Sequence, residues 1–378
     1  MKKCIVISDS FKGTLSSMEI CQIAKQSIPT IFPSCEVIAV PVADGGEGTV
    51  DCFIQAIEAI PVAVDVTGPY GEPIRAVYAR KGEKAIIEMA CAAGLPMVGE
   101  RRDPSRTTTY GVGQIIRHAV EQGCREILLG LGGSATNDGG CGCAAALGVE
   151  FLDETGTSFV PVGETLDRIC RIDLTQAKAL LAGVTVTVMC DVDNPLYGPR
   201  GAAHVFAPQK GADEAMVLRL DGQLQALDNA FQRELGLSVA QLPGAGAAGG
   251  MGGGCVAFLG AALKAGIEAV LDTVDFDRIL EGADLVITGE GRIDSQSVHG
   301  KVISGIARRT APRNVPLVAI VGSIHESANQ AYDLGVTAMF GIDRDATAFE
   351  TYAPRSGEYY RRTLEDVLRL IRGMNPHT

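Results

Sequence analysis

The sequence predicts an α/β fold: a doubly wound, Rossmann- or flavodoxin-like domain built from both chain ends, with a second, mixed α/β domain inserted in it. At both ends of the chain, short apolar strands alternate with helices, which is typical of a parallel sheet covered on both faces. Between the ends, closely spaced strands separated by turns indicate a different sheet. We therefore expect one domain at residues 1–61 plus 271–378 and the inserted domain at residues 62–270.

The first sixty residues predict two successive strand–helix units. Cys4–Ile7 and Glu36–Val40 are apolar runs of strand length. A helix capped by Ser16 or Ser17 follows the first strand, and a helix from about Val50 follows the second. This alternation predicts two neighbouring parallel strands.

The middle of the chain predicts an antiparallel meander and then mixed elements. The meander strands are Val62–Thr67, Ile74–Ala79 and Ala85–Met89, which turn-forming residues separate. After them, the periodicity predicts a helix at Tyr110–Gln122, strands at Ile127–Leu131 and Val184–Cys190, a helix over 213–235 and, beyond a glycine tract at 244–254, a helix at Val256–Ala269.

The last third returns to strand–helix alternation. Leu285–Thr288, Leu317–Val321 and Ala338–Ile342 are apolar runs, and each is followed by a helical pattern. These strands are expected to join the sheet that the N-terminal segment begins.

The composition restricts the class of partner. The net charge of −12 and the absence of tryptophan argue against binding to nucleic acid or to an anionic membrane. Eleven cysteines without a CxxC pair indicate thiols in a reducing cytosol, so we expect a cytoplasmic protein. No apolar stretch is long enough to span a membrane.

Clusters of glycine and polar residues recur along the chain, and most follow a predicted strand. They are, in order, Asp9–Thr14, Ala43–Thr49, Gly132–Gly140, Cys190–Asn194 and Gly289–Ser295. Glycine lets backbone amides approach an anion closely, and carboxylates can hold Mg²⁺. Several such loops at strand ends predict one polyphosphate–metal site and hence phosphoryl transfer.

The first two clusters offer one cation and several acids. Lys12 is expected to neutralise phosphate charge, and Asp9 to bind metal or a substrate hydroxyl. Asp44 is the stronger candidate in the second cluster for binding substrate or metal. A simple Asx turn with an exposed lysine, and a charged turn that caps a helix, are the alternatives.

The third cluster has the composition of a phosphate cradle. Gly132, Gly133 and Ser134 supply backbone donors and a hydroxyl, and Asn137 with Asp138 suits a metal. No Gly-Lys-Ser/Thr closes it, so it is not a Walker motif. The alternative is a tight helix–sheet crossing that requires small residues.

The remaining clusters follow later strands. Asp191 and Asp193 would point the same way if their strand continues, which would suit Mg²⁺ or base catalysis. Lys210 lies in a turn, where it could reach phosphate or lie at the surface. Arg292 and Asp294 combine a cation and an acid in one glycine-rich loop.

These motifs resemble those of the glycerate kinase family of the bacterial type, over essentially the whole chain. The signatures are Asp9-Ser10-Phe11-Lys12-Gly13, Val42–Thr49, Gly132–Gly140, Pro243–Gly252 and Gly289–Gln296. The resemblance implies two α/β domains and a reaction between ATP and D-glycerate that gives ADP and phosphoglycerate, usually the 2-phosphate. Cys141 and Cys143 depart from the more inert small residues expected beside the glycine cluster.

Under this interpretation we expect Mg²⁺-dependent transfer from ATP in the cleft between the domains. Asp191 is the favoured general base among Asp44, Asp138 and Asp191, one of which would hold Mg²⁺ instead, and Arg292 is the candidate for the glycerate carboxylate. The candidate catalytic residues are Asp191, Lys12 and Asp44, and the candidate metal ligands are Asp138, Asp193 and Glu290. Phosphate or nucleotide is expected to bind at Gly132, Gly133, Ser134, Asn137, Gly249 and Gly250. Substrate is expected to bind at Asp9, Arg292, Asp294 and Ser295.

Two other functions compete with this prediction. The same loops could serve a kinase of a related short hydroxy acid, or a non-catalytic sensor of sugar acids or nucleotides. No Gly-x-Gly-x-x-Gly follows the first strand, which argues against a dinucleotide-dependent dehydrogenase. A monomer or a homodimer is expected.

Overall fold

The computed structural model describes residues 1–11, 13–42, 45–46, 48–294, 302–344 and 349–374. They form two compact units. Unit 1 comprises residues 1–43, 55–57 and 265–378, and unit 2 comprises residues 44–54 and 58–264. Both contain parallel strands and helices, which confirms the predicted α/β class, whereas the domain boundaries drawn from the sequence stay a prediction.

Strands and helices alternate through most of the chain. The strands are β1 (Lys3–Ser8), β2 (Glu36–Pro41), β3 (Ile60–Thr67), β4 (Pro73–Lys81), β5 (Lys84–Glu88), β6 (Glu126–Gly130), β7 (Glu150–Leu152), β8 (Ser158–Phe159), β9 (Arg171–Asp173), β10 (Thr185–Met189), β11 (Ala262–Lys264), β12 (Leu285–Thr288), β13 (Arg292–Ile293), β14 (Leu317–Val321), β15 (Ser323–Ile324) and β16 (Ala338–Gly341).

The helices vary from single turns to long amphipathic elements. They are α1 (Ser17–Ile31), α2 (Thr49–Ala56), α3 (Ala90–Ala93), α4 (Leu95–Val98), α5 (Tyr110–Glu121), α6 (Cys141–Ala146), α7 (Thr175–Leu180), α8 (Ala202–Phe206), α9 (Glu214–Leu235), α10 (Ala247–Leu259), α11 (Gly266–Thr273), α12 (Phe276–Ile279), α13 (Val302–Thr310), α14 (Gln330–Asp333), α15 (Phe349–Tyr352) and α16 (Ser356–Met374). Within the described ranges none of them is long and apolar enough to cross a membrane.

Unit 1 is organised by a parallel sheet in the order β16-β14-β12-β1-β2. Strand β1 lies between β12 and β2 and places Cys4 beside Leu285 of β12 and Val37 of β2. The residues of β1 from Cys4 to Ser8 are fully buried, as expected for a strand with helices on both faces. The first and last segments of the chain therefore share one sheet, as the sequence predicts.

Helix α1 begins with a reciprocal capping box. The Ser16 hydroxyl accepts a hydrogen bond from the Glu19 amide, and the Glu19 carboxylate accepts one from the Ser16 amide. The next residue, Ser17, donates to the Ser8 carbonyl across 2.6 Å and accepts from the Val42 amide across 2.8 Å. Ser17 thereby ties together the carboxyl ends of two neighbouring strands, β1 and β2.

Unit 2 contains a six-stranded sheet in the order β11-β10-β6-β5-β4-β3. The strands from β11 to β5 are parallel, and β5, β4 and β3 form the antiparallel meander that the sequence predicts. Helix α5 packs on this sheet through Val112, Ile115 and Ile116, which are fully buried. A small antiparallel sheet, β8-β7-β9, completes the unit.

The prediction of a helix at Val256–Ala269 is wrong. Helix α10 ends at Leu259, where Gly260 adopts a left-handed conformation at the C-cap, and Ala262–Lys264 forms β11 parallel to β10. The glycine tract at 244–254 largely belongs to α10 itself. An apolar run does not reveal where a helix stops and a buried strand begins.

Candidate active site

In unit 2, the turn at Gly45–Gly46 packs directly against the end of β6. The Gly132 amide donates to the Gly45 carbonyl across 2.9 Å. A Cβ atom on Gly130 would lie 2.4 Å from the Gly45 oxygen, and one on Gly132 would lie 2.4 Å from the Gly46 Cα. Side chains at these positions would push the two loops apart, so the glycines bring two predicted clusters together.

Strand β10 ends beside the same turn. Met189, its last residue, is in register with Gly130 of β6, and its Cβ lies 3.1 Å from the position of a Cβ on Gly45. Asp191 follows two residues later and is exposed. The candidate general base therefore lies just beyond the carboxyl end of a strand that neighbours the glycine loop.

Asp191 and Asp193 are expected to point the same way only if their strand continues, and this condition is not met, because β10 ends at Met189. Both carboxylate oxygens of Asp193 instead lie 3.3 Å from the Arg200 guanidinium, on an exposed surface. This ion pair does not support Asp193 as a metal ligand.

The loop after β6 is anchored at its first turn. The Leu95 amide donates to the Gly133 carbonyl, and the Ala135 amide donates to the Ala93 carbonyl, both across 2.8 Å. Gly133 is exposed and has a φ of +73°, which only glycine adopts without strain. Ser134 beside it is 8% exposed. Gly132 and Gly133 are thus the accessible part of an otherwise buried loop, with the nearly buried Ser134 beside them, which suits an anion.

Lys210 lies beneath this loop and is only 1% exposed. Its Nζ donates to the Ser134 hydroxyl oxygen and to the Thr136 carbonyl, each across 2.7 Å. Burial lowers the pKa of Lys210 to about 7, and the negative charge of Asp138 opposes this shift. Of the two alternatives that the sequence leaves open for Lys210, the surface position is wrong.

Asp138 is fully buried and anchors two helix N-termini. Its Oδ2 accepts hydrogen bonds from the amide and hydroxyl of Thr109, at 2.7 and 2.8 Å, and from the Gly142 amide at 3.2 Å. Its Oδ1 accepts from the Gly140 amide at 3.1 Å. Burial raises the pKa of this carboxyl group, while these hydrogen bonds oppose the shift. Both oxygens are occupied, so the geometry favours a structural role over the predicted metal role.

Asn137 and Thr136 are also fully buried. Among the described residues, neither amide atom of Asn137 nor the hydroxyl of Thr136 has a hydrogen-bond partner. Such atoms are costly to bury alone, and they are the kind of donors and acceptors that a polar ligand or water satisfies. The predicted polar role of Asn137 stays a prediction.

The glycine tract supports this loop from the other side. A Cβ on Gly249 would lie 2.0 Å from the Thr136 carbonyl oxygen, and one on Gly254 would lie 2.0 Å from that of Gly139. Gly249 and Gly250 adopt left-handed conformations and are buried. Their geometry indicates close backbone packing, and it does not support the predicted contact of Gly249 and Gly250 with a nucleotide.

The cysteines beside the loop are enclosed. Burial raises the pKa values of the Cys141 and Cys143 thiols well above the usual value for a cysteine. Burial also raises the pKa of Cys255 to about 12. None of the eleven cysteines forms a disulfide. The two thiols that depart from the family pattern therefore fill space as small apolar groups.

In unit 1, the carboxyl ends of β1, β12 and β14 converge. The Asp9 amide donates to the Gly289 carbonyl across 2.9 Å, and a Cβ on Gly289 would lie 2.0 Å from the Ile320 oxygen. The Gly322 amide donates a hydrogen bond to the backbone carbonyl of Glu290, which is a buried residue. The close approach of these backbones explains the glycines and brings Asp9 to the start of the 289–294 loop.

Arg292 and Asp294 follow on the same loop. The Arg292 Nε lies 3.9 Å from the Asp294 carboxylate, and the Arg292 side chain is 60% exposed. An exposed guanidinium can donate two parallel hydrogen bonds to a carboxylate. The pair fits the predicted substrate role without testing it.

Three predicted site residues, Lys12, Asp44 and Ser295, lie outside the described residues. Among the residues that are described, no group of three or more histidine, cysteine or acidic side chains could hold a metal ion. None of the predicted metal residues Asp138, Asp193 and Glu290 belongs to such a group among the described residues.

Sequence reasoning missed a buried acid in unit 2. Glu88, at the end of β5, accepts a hydrogen bond from the Val50 amide across 2.5 Å and so holds the first turn of α2, directly after the Gly45–Gly46 turn. A single acid at the end of the apolar run from Ala85 to Met89 was the available signal.

Known proteins resemble the chain over nearly its whole length. The model of the glycerate kinase family matches residues 4–372. A glycerate kinase from Bacillus subtilis (strain 168) is 43% identical over 373 residues, which are 98% of each chain. A glycerate 2-kinase from Escherichia coli (strain K12) is 43% identical over 343 residues, which are 90% of each chain.

A solved structure is similar as well. The crystal structure of a protein from Salmonella typhimurium LT2, assigned provisionally as glycerate kinase 2, superposes with a TM-score of 0.88 at 40% identity and covers 99% of both chains. Family model, relatives and structure agree with one another, and the chain belongs to the glycerate kinase family.

Proposed function

We propose that this protein transfers the γ-phosphoryl group of ATP to a hydroxyl of D-glycerate, giving ADP and 2-phosphoglycerate. The observation that carries the proposal is the packing of Gly45–Gly46 against Gly130–Gly132, above the buried cation Lys210. The choice of product follows the name of the relative from Escherichia coli, a glycerate 2-kinase. Family membership supports the reaction class.

In this proposal, the phosphates of ATP bind at Gly132–Ser134. The exposed backbone of Gly133 and the hydroxyl of Ser134 are suitable hydrogen-bond donors, and the loop is anchored before the ligand arrives. Phosphoryl transfer depends mainly on positioning and charge neutralisation, so a preformed loop is an advantage. Lys12 would add a second positive charge.

Mg²⁺ would accompany ATP as part of the substrate. This ion is commonly held by one or two carboxylates together with substrate phosphates, so a cage of protein ligands is not required. The exposed carboxylate of Asp191 has the right donor chemistry, as does Asp44. When bound, the ion would neutralise phosphate charge.

Asp191 is the proposed general base. An exposed carboxylate just beyond β10, the strand next to the glycine loop, is of the right kind to accept the proton of the glycerate hydroxyl. Asp44 remains the alternative base, with Asp191 then holding Mg²⁺.

Glycerate would be bound through its carboxylate and its second hydroxyl. Arg292 is the proposed partner of the carboxylate because its side chain is 60% exposed and its guanidinium has the charge and the forked donors that match a carboxylate. Asp9 and Asp294 would accept hydrogen bonds from the hydroxyl groups of glycerate, and Ser295 would either donate a hydrogen bond to one of them or accept one from it. Three further predictions from the sequence belong to this proposal. They are a reaction site between the two domains, a cytoplasmic setting, and a monomeric or homodimeric state.

A coupled ADP-release assay with ATP, Mg²⁺ and D-glycerate tests the proposal, followed by ³¹P NMR of the product. Turnover with a 2-phosphate signal is expected. A 3-phosphate signal would keep the kinase and change the product. Turnover only with another short hydroxy acid would overturn glycerate as the substrate, and nucleotide binding without turnover on any acceptor would favour a sensor.

A further inference from the structure

Lys210 is held inside unit 2 by its own backbone. It ends a short 3-10 turn, Pro208–Lys210, after α8, and the next residue, Gly211, has a φ of +103°. A Cβ on Gly211 would lie 2.4 Å from the Arg102 carbonyl oxygen, so the turn packs tightly against the segment around Arg102. This packing directs the lysine side chain inward, although lysine is almost never fully buried without a partner.

Both hydrogen bonds of the Lys210 ammonium go to one loop. Ser134 is an acceptor in this contact, so its hydroxyl proton remains available for a second group. The bond to the Thr136 carbonyl holds the peptide that follows. Donation by a cation also strengthens the hydroxyl of Ser134 as a donor, because linked hydrogen bonds polarise each other.

Few charges compensate Lys210. Among the described residues, no carboxylate oxygen forms an ion pair with its Nζ. Asp138 acts from a greater distance and is itself engaged by Thr109, Gly140 and Gly142. Arg102, from the segment packed against the turn, donates to the Gln209 carbonyl across 3.3 Å and adds positive charge. A buried cation with this little compensation is suited to an anion that arrives from outside.

We infer that Lys210 is a positioning residue of the nucleotide site: its buried ammonium holds Ser134 and Thr136 in the shape that binds a phosphate of ATP and supplies positive charge beneath that phosphate. This inference rests on the proposed function and deepens it, because it names the group that couples the loop to the charge of the nucleotide. Lys210 does not touch the reacting atoms in this role.

Proton uptake is the consequence that distinguishes this role from simple packing. With a pKa of about 7, Lys210 is mostly neutral at pH 8 in the unliganded protein. An anion bound nearby favours its charged form and raises its pKa. Binding of ATP at pH 8 is therefore expected to take up as much as about one proton.

The test is calorimetric titration of ATP with Mg²⁺ at pH 8, in two buffers of different ionisation enthalpy, without glycerate. The wild-type protein is expected to take up a proton. Lys210→Met should lose this uptake and bind ATP about tenfold or more weakly, because a charge-assisted contact is lost. In the kinetic assay its KM for ATP should rise while its KM for glycerate changes little.

Two further variants control the experiment. Lys178→Met removes an exposed lysine of the same unit and should behave like the wild type. Lys210→Arg keeps a charge that does not titrate, so it should bind ATP without taking up a proton. If Lys210→Met fails to fold, Lys210→Arg still gives a result, because proton uptake that persists in it overturns the inference.

The outcomes separate this inference from the proposed function. The role of Lys210 would be overturned if the wild type bound ATP without taking up a proton. It would also be overturned if Lys210→Met bound ATP with the affinity and the proton uptake of the wild type. A wild-type protein that binds ATP with proton uptake but never phosphorylates glycerate would overturn the proposed reaction and support the role of Lys210 in the nucleotide site.

Discussion

The Gly132 amide donates a hydrogen bond to the Gly45 carbonyl across 2.9 Å, although the two residues are far apart in the chain. A Cβ on Gly132 would lie 2.4 Å from the Gly46 Cα, so no larger residue fits without moving one of the two loops. The position of the Gly45–Gly46 turn therefore depends on the backbone of the loop proposed to bind phosphate.

Gly132→Ala tests this dependence. The added methyl group would displace the Gly45–Gly46 turn, and such overpacking typically costs about 1–3 kcal/mol of unfolding free energy. We expect kcat/KM to fall at least about tenfold, since small misplacements of positioning groups are expensive in catalysis. Urea unfolding and the ADP-release assay measure the two effects.

Gly222→Ala is the matched control for that variant. Gly222 lies exposed within α9, and nothing lies within 4 Å of a Cβ placed on it. Alanine there should raise the unfolding free energy by about 0.5–1 kcal/mol and leave turnover unchanged. Equal activity of Gly132→Ala and Gly222→Ala would contradict the role of the close contact.

Asp191→Asn tests the proposed general base. Its side chain is exposed beyond β10, so replacement should leave the unfolding free energy nearly unchanged. The amide cannot accept the substrate proton, and kcat should fall by roughly 10²-fold or more. The measurement is kcat at saturating ATP and D-glycerate, beside Asp167→Asn, which alters another exposed acid of unit 2. Near-normal turnover of Asp191→Asn would transfer the base role to Asp44.

The sequence predicted most strands and the loops that follow them, because both leave local signals. Apolar runs of strand length mark β1, β6 and β12, and the glycine clusters after them mark places where backbones approach closely. The periodicity failed at 256–269, a mostly apolar run that suits either a helix or a buried strand, in which Gly260 marks the end of α10.

The roles of individual polar residues were harder to predict, because burial depends on partners distant in the sequence. Lys210 bonds Ser134, which is 76 positions away, and Asp138 bonds Thr109, which is 29 positions away. No local pattern separates a buried lysine from an exposed one, or an anchoring aspartate from a metal ligand. The contacts of these residues decide the question.

Lys210 should make stability depend on pH in a defined direction. Its pKa is lowered to about 7 in the folded protein from 10.5, so the unfolded chain binds more protons between these values. The contribution of Lys210 to stability therefore increases as the pH rises from about 7, by up to about 1.4 kcal/mol per unit. Unfolding free energies of the wild type and Lys210→Met at pH 6.5 to 9 measure the difference.

The sign of that difference is the critical result. Relative to Lys210→Met, the wild type should gain stability with rising pH, and the same comparison with Lys178→Met should show a constant difference. A difference that stays constant from pH 6.5 to 9 would mean that the folded protein keeps the Lys210 ammonium charged over this range, and it would contradict the lowered pKa.

Arg309 is predicted to be the central cation of a surface network in unit 1. Its guanidinium contacts Glu268 and Asp272 at 2.8 Å and also pairs with Asp277, and the pKa of Arg309 is raised by its hydrogen bonds to these acids, that with Glu268 first. Arg309→Met would leave Asp272 beside Glu268 and Asp277, which keep Arg308 and Arg313 as partners, and should cost about 1–2 kcal/mol of unfolding free energy because a network is lost. Arg308→Met removes a half-exposed partner of Glu268 and should cost under about 1 kcal/mol.

Urea unfolding in low and high salt compares the two variants. The cost of Arg309→Met should decrease in high salt, where the repulsion between the remaining acids is screened, and equal costs for the two variants would refute a central role for Arg309.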